Sequence, residues 1–137
     1  MRVVLDSNIF ISALISEKGA PFLVYKAWHK RRFDLICAEE QIDELRDVSK
    51  YPKFRGVIAP HIFGQLINLL SATELVRVAS VETELSDPMD LFLLGMAETD
   101  NADYLITGDK RAGLLALKTY GRTQIVTPTA FIAAIGG

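Results

Sequence analysis

The stretch RVVLDSNIFISALIS, residues 2–16, decides the fold. Its first five residues are a short, continuous apolar run closed by an acid, Asp6, which is the signature of a strand buried on both faces. From residue 8 to about 15 the chain reads as a helix. A strand that ends in a carboxylate and turns at once into a helix is half of an α/β unit, and the rest of the chain repeats the pattern.

Working outward, FDLIC (33–37), ELVRV (74–78), YLIT (104–107) and QIV (124–126) read as further strands. Between them the spacing predicts helices near 20–31, 39–50, 60–72, 88–100 and 128–135. Asp87-Pro88 and Thr127-Pro128 each set a capping side chain before a proline at the first helical position, and Pro60 opens a helix in the same way. Helices interleaved with buried strands imply a mainly parallel sheet covered on both faces. The expected fold is α/β, a three-layer α/β/α arrangement filling residues 1–137 as a single domain. No repeat, low-complexity tract or linker interrupts it.

Composition agrees with this reading. The chain has 137 residues, 50% hydrophobic and 23% charged, a length that suits one domain with a sizeable core. Cys37 is the one cysteine, so no internal disulfide forms, as suits a reducing cytoplasm. There is no basic-then-apolar leader and no uncharged apolar run of roughly 18 residues, which argues against secretion or membrane spanning. With 15 Lys+Arg against 17 Asp+Glu, the formal charge is −2, which disfavours tight, non-specific binding to a nucleic-acid backbone. The balance is uneven: residues 1–55 hold 10 bases and 8 acids, residues 56–137 hold 5 and 9.

In open parallel sheets, ligands bind beyond the carboxyl ends of the strands. Asp6 closes the first strand, and Asp109 follows the YLIT strand in the run Thr107-Gly108-Asp109. The helix AEEQIDELRDVSK carries Glu39, Glu40, Asp43, Glu44 and Asp47. Most of these belong to a solvated face. Ile42, Leu45 and Val48 set the buried direction, and of the five acids Glu44 alone lies on its flank. In SDPMDLFLLGMAETDNADY, capping explains Asp87 completely: Asp87 is the N-cap, Pro88 N1 and Asp90 N3. Asp90 also heads the apolar stripe of Leu93, Leu94 and Ala97, where an acid needs a partner or water.

Asp6, Glu44, Asp90 and Asp109 are thus candidates to share one crevice. Two carboxylates 5 Å apart repel by roughly 3 kcal/mol at an effective dielectric of 20, so such a gathering calls for a cation. An all-oxygen set favours Mg²⁺ or Mn²⁺, and that chemistry suits phosphodiester hydrolysis. One Cys and two distant His, His29 and His61, are too few for zinc. Phosphate-binding glycine loops and a nucleophile elbow are absent, and Asn8 stands where a phosphoaspartate enzyme would need an acid. Cys37 reads as an inert core thiol.

The opening VVLDSNIFISALIS, then DELRDV with YPKF, DPMDLFLLGMA and ADYLITGD, in that order, resemble the PIN domain family. The nearest likeness is to small prokaryotic PIN proteins, similar to the VapC toxins of toxin–antitoxin pairs, and it runs from Arg2 to about Phe131. The resemblance implies a metal-dependent ribonuclease with a parallel α/β/α fold and an acidic quartet at Asp6, Glu44, Asp90 and Asp109. It also implies that Ser7, Asn8 and Thr107 are polar residues hydrogen-bonding around the quartet, and Asp87 is grouped with them beside Asp90. Three positions depart from the family pattern: Ser7 replaces the usual threonine, Leu91 follows Asp90 where Asn is common, and KRAGLL follows Asp109.

Lys110 and Arg111, directly after Asp109, are the expected phosphate contacts. Further candidates are His29-Lys30-Arg31-Arg32, Lys50, Lys53 and Arg55, although bases at 29–32 equally complement a helix C-terminus. Tyr25, Trp28, Phe54 and Tyr120 offer rings for stacking on bases, with core packing the simpler role for each. HIFGQLINLL is more apolar than one core-facing stripe requires, and the resemblance supports both a homodimer and a small antitoxin partner. Two functions stand: a Mg²⁺/Mn²⁺-dependent endoribonuclease acting as a toxin, and a catalytically inactive PIN-like module that binds RNA or protein.

Overall fold

A computed structural model describes residues 1–78, 87–108 and 113–136. Five strands form one sheet: β1 (Arg2–Leu5), β2 (Asp34–Ile36), β3 (Tyr104–Ile106), β4 (Thr119–Tyr120) and β5 (Thr123–Val126). Their order is β2-β1-β3-β5-β4. All pairings are parallel except β4 with β5, which are joined through Gly121 in the left-handed region (φ 58°).

The helices are α1 (Ser7–Ile15), α2 (Ala20–His29), α3 (Glu39–Val48), α4 (Pro52–Arg55), α5 (Pro60–Ser71), α6 (Pro88–Thr99), α7 (Leu114–Leu117) and α8 (Pro128–Ala134). Alternation along the strands divides the core in two. Val3, Leu5 and Ile106 face a cluster built with Phe10, Val24, Leu45, Leu66 and Phe131 from α1, α2, α3, α5 and α8. Val4, Ile36, Leu105 and Ile125 face the opposite cluster, built with Leu93, Leu94, Met96 and Ala97 of α6 and Leu114 of α7. The three-layer α/β arrangement expected from the alternating pattern is therefore present, with an antiparallel strand at one edge of the sheet.

Helix starts follow the capping residues. The Asp87 side chain accepts from the N–H of Met89 at 2.8 Å and of Asp90 at 3.4 Å, and Thr127 accepts from Ala130 at 3.1 Å. Pro60 does open α5, but Ala59 before it has no side chain to cap with. Helix α2 ends two residues before the expected boundary. Arg31 adopts a left-handed conformation (φ 59°) and the N–H of Arg32 reaches back to the carbonyl of Ala27, closing the helix.

The expected strand at 74–78 is not formed over its described length. A single parallel bridge pairs Leu75 with Cys37, and the N–H of Val76 donates to the Cys37 carbonyl at 2.9 Å. Beside it, β2 is only three residues long, so the segment meets its neighbour just past that strand's end. Val76 and Val78 still pack into the second cluster. In α5 most of the surplus apolar surface turns inward: Phe63, Leu66 and Leu70 are buried, Ile62 and Ile67 pack at the margin, and Leu69 is left 43% exposed. No helix of the described residues is long and apolar enough to cross a membrane.

Candidate active site

Asp6 sits where β1 hands over to α1. Its N–H donates to the carbonyl of Ile106 at 2.9 Å, which extends the β1–β3 ladder by one residue and fixes the acid at the carboxyl edge of the sheet. Its side chain is only 8% exposed and serves as the N-cap of α1, accepting from the N–H of Asn8 at 3.2 Å. The other carboxylate oxygen accepts from the hydroxyl of fully buried Thr107 at 2.9 Å. Thr107 is held in turn by its N–H donating to the Val126 carbonyl at 3.0 Å. One carboxylate is thus oriented from two neighbouring elements.

Helix α3 brings the second acid. Glu39, Glu40, Asp43 and Asp47 are exposed, whereas Glu44 is half-buried on the flank that its periodicity predicts. The hydroxyl of buried Ser7 donates to Glu44 at 3.5 Å, a long contact. Beside Ser7 stands Gln41, 1% exposed, whose amide donates to the Leu5 carbonyl at 2.7 Å and reaches Ser7 Oγ at 3.5 Å. Sequence reading passed over Gln41, because a glutamine among five acids resembles surface. Its one distinguishing mark is its place one residue before Ile42, on the inward side.

Helix α6 sets the third acid at the same edge. Its far end is anchored where β1 begins, since Arg2 ion-pairs with Asp100 and donates to the Asp100 carbonyl at 3.0 Å. Asp90 lies roughly 15 Å back along the helix, at 1.5 Å per residue. Asp6 lies roughly 13 Å from Arg2 along the strand, at about 3.3 Å per residue. Helix and strand span the sheet in opposite directions of chain travel, so both acids arrive at its carboxyl edge. Asp90 is 6% exposed, continuous with buried Leu93, Leu94 and Ala97. Asp87 is exposed and performs the capping role described above.

Asp109, Lys110 and Arg111 lie outside the described residues. Among the described residues, no three Asp, Glu, His or Cys side chains come close enough together to hold a metal ion. What is brought together is the pair Asp6 and Glu44, with Ser7 and Thr107 against them. Burial pushes the Glu44 carboxyl above the ordinary range, Asp6 adds to the rise, and among the described residues the Ser7 hydroxyl opposes it. A cation between two such oxygens would lower the cost of ionising both, so the pair fits a hard divalent ion chemically.

Asn8 contributes its backbone N–H, and its exposed side chain helps line a hollow of about 240 Å³ with Ser12, Pro21, Gly108 and Pro128. His61 is exposed, and the His29 ring packs on Tyr25 with centroids 4.3 Å apart. Cys37 is fully buried and its thiol is pushed up to about 12, mainly by burial, so it is inert as a nucleophile.

The sequence matches the model of the PIN domain over residues 2–111, a span that includes Asp6, Glu44, Asp90 and Asp109. No curated protein and no solved structure gives a significant match. A mainly parallel sheet flanked by helices and a family match over 110 of 137 residues lead to one assignment: the chain belongs to the PIN domain family, whose members are generally nucleases.

Proposed function

We propose that this PIN domain is a Mg²⁺- or Mn²⁺-dependent endoribonuclease acting in the cytoplasm as the toxin of a toxin–antitoxin pair. The observation that carries the catalytic part is the pairing of Asp6, pinned by Thr107 and the Asn8 N–H, with a half-buried Glu44 whose carboxyl is pushed upward by burial first and by Asp6 second. PIN nucleases generally use divalent metal ions. In this reading Asp6 and Glu44 hold the ion, with Asp90 and Asp109 completing the oxygen set. When bound, the ion activates water and neutralises charge developing on the phosphodiester.

The chain's own residues have separate tasks. Thr107 and the α1 N-terminus keep the Asp6 carboxylate in one orientation, and Gln41 holds Ser7 toward Glu44. Lys110 and Arg111 hold substrate phosphates. The toxin role, the antitoxin and a homodimer rest on the likeness of the VVLDSNIFISALIS, DPMDLFLLGMA and ADYLITGD segments to small prokaryotic PIN toxins; Leu69 is the exposed apolar residue that α5 offers to a partner.

The test is incubation of the purified chain with a panel of structured RNAs, in Mn²⁺ and in EDTA, beside Glu44→Gln. Cleavage of RNA in Mn²⁺ alone, with a large loss in the variant, is the expected result. Metal-independent cleavage, or equal cleavage by both proteins, overturns the site. RNA binding without cleavage in either condition assigns the chain to the inactive, nucleic-acid-binding class.

A further inference from the structure

Between Asp47 and Glu74 the sequence holds Lys50, Lys53 and Arg55 and no acid, in a chain whose formal charge is −2. The three bases are exposed, and among the described residues none of them forms an ion pair. Set among them are two aromatic rings. Tyr51, 49% exposed, stacks on Phe54 with centroids 6.4 Å apart and planes 20° from parallel. Phe54 is partly buried against the first core cluster, so the outer ring rests on an anchored one. The Lys53 ammonium lies 4.9 Å from the Phe54 ring centroid, held by the ring's negative face.

A large ring left half in water on a partly buried one, beside three exposed bases that form no ion pair among the described residues, is poorly explained by folding alone. An apolar partner protein would gain from Tyr51 but would have to desolvate three charges. A polyanion carrying flat rings satisfies both features at once: bases stack on the aromatic face while phosphates meet the cations. We infer that Tyr51, Phe54, Lys50, Lys53 and Arg55 form a stacking platform for single-stranded nucleic acid. A duplex keeps its bases stacked on one another and presents none to Tyr51, so the ligand is a single strand. The platform follows directly on the helix that carries Glu44: α3 ends at Val48, and Tyr51 is the N-cap of the next helix, α4. The inference rests on the nuclease reading for its purpose, holding the strand a few nucleotides from the acids, but its binding test stands without it.

The probes are labelled short oligouridine and an abasic strand of equal length, titrated in EDTA so that metal-dependent cleavage does not intervene. Wild type binds oligouridine more tightly than the abasic strand. Tyr51→Ala weakens oligouridine binding roughly fivefold or more, the low end for one lost stacking contact, and leaves the abasic strand unchanged, while Tyr51→Phe restores the preference. Lys53→Ala flattens the plot of log affinity against log salt by about 0.7 on both strands. Unchanged oligouridine binding by Tyr51→Ala, or no preference for base-bearing strand in wild type, overturns the platform. A chain that fails to cleave in Mn²⁺ but shows these affinities refutes the nuclease reading and leaves the platform standing. A chain that cleaves, with Tyr51→Ala binding as wild type, does the reverse.

Discussion

The two ends of β1 handle acids in opposite ways. At the Arg2 end two acids, Asp100 and Asp103, each meet donors. The Arg2 N–H donates to Asp103 at 2.8 Å, Arg122 ion-pairs with Asp103 at 2.7 Å, and Arg2 pairs with Asp100. The Asp103 carboxyl is accordingly held below the ordinary range, chiefly by the Arg2 N–H and then by Arg122. At the Asp6 end, four residues on, Glu44 is driven upward by burial and by a second acid. A cavity of about 500 Å³, walled partly by Arg2, Asp34, Glu74 and Asp100, opens at the satisfied end. The hollow beside Asn8 at the other end is half that size. Room does not locate the chemistry here. In the proposed function electrostatic mismatch marks it instead, because an unfavourable pair of acids at a cleft is a candidate for binding something between them.

The largest expected effect breaks the comparison directly. Asp6→Asn keeps one oxygen to accept from the Asn8 N–H and an amide that can donate to the Thr107 hydroxyl, so the fold survives while a charge is lost. RNA cleavage in Mn²⁺ should fall by more than the roughly 10- to 100-fold typical for residues that merely support a metal ligand. Asp103→Asn, at the satisfied end, should cleave as wild type at neutral pH. Comparable losses in both variants would erase the distinction between the two ends.

Metal addition sharpens the comparison without relying on turnover. An ion held only by the folded state adds about 2.7 kcal/mol at one hundred times its dissociation constant. Thermal melts in EDTA and in Mn²⁺ should therefore differ by several degrees for wild type and for Asp103→Asn. For Asp6→Asn the difference should largely vanish. An undiminished shift in that variant would place the ion elsewhere.

How much of this was legible in the sequence depends on length scale. The core alternation, Val3 and Leu5 against Val4, follows from strand period alone. Glu44 was separable from four neighbouring acids because ten residues of helix give the period enough turns. Asp90 was marked by the apolar stripe behind it. Helices α4 and α7 and strand β4 were missed, being too short to show any period. The strand expected at 74–78 failed because pairing depends on the neighbour's length, which the segment itself does not encode. Gln41 and Tyr51 were missed for a related reason: neither breaks a local pattern, and each is defined by what another segment brings to it. Gln41→Leu tests that point. It leaves the Leu5 carbonyl without its amide donor, which should cost about 1–3 kcal/mol of stability. Cleavage should fall as Ser7 loses its orientation, with Gln41→Glu failing to rescue because it adds a third acid. A stable, fully active Gln41→Leu would show that Ser7 and Glu44 are positioned without it.

The smallest effect is the most specific, because the two ends should differ in sign. The folded Asp103 carboxyl lies below its ordinary value of 3.8. Its contribution is therefore present at neutral pH and is lost as pH falls through the lowered value. Asp103→Asn should be less stable than wild type at pH 7, by roughly 0.2–1 kcal/mol for an exposed pair, and should match it in strong acid. Glu44 lies above its ordinary value of 4.5. Its protonated form is the one the fold favours, so that stability is present below 4.5 and lost as pH rises through the raised value. In EDTA, Glu44→Gln should be slightly more stable than wild type at pH 7 and equal to it below the ordinary value. Denaturant melts of the three proteins across this range read both signs. Adding Mn²⁺ at pH 7 should then reverse the order for Glu44→Gln alone, since a cation beside Asp6 turns the glutamate's charge from a cost into a ligand. If Glu44→Gln is instead less stable than wild type in EDTA at neutral pH, the glutamate is an ordinary structural acid, and the contrast between the two ends of β1 fails.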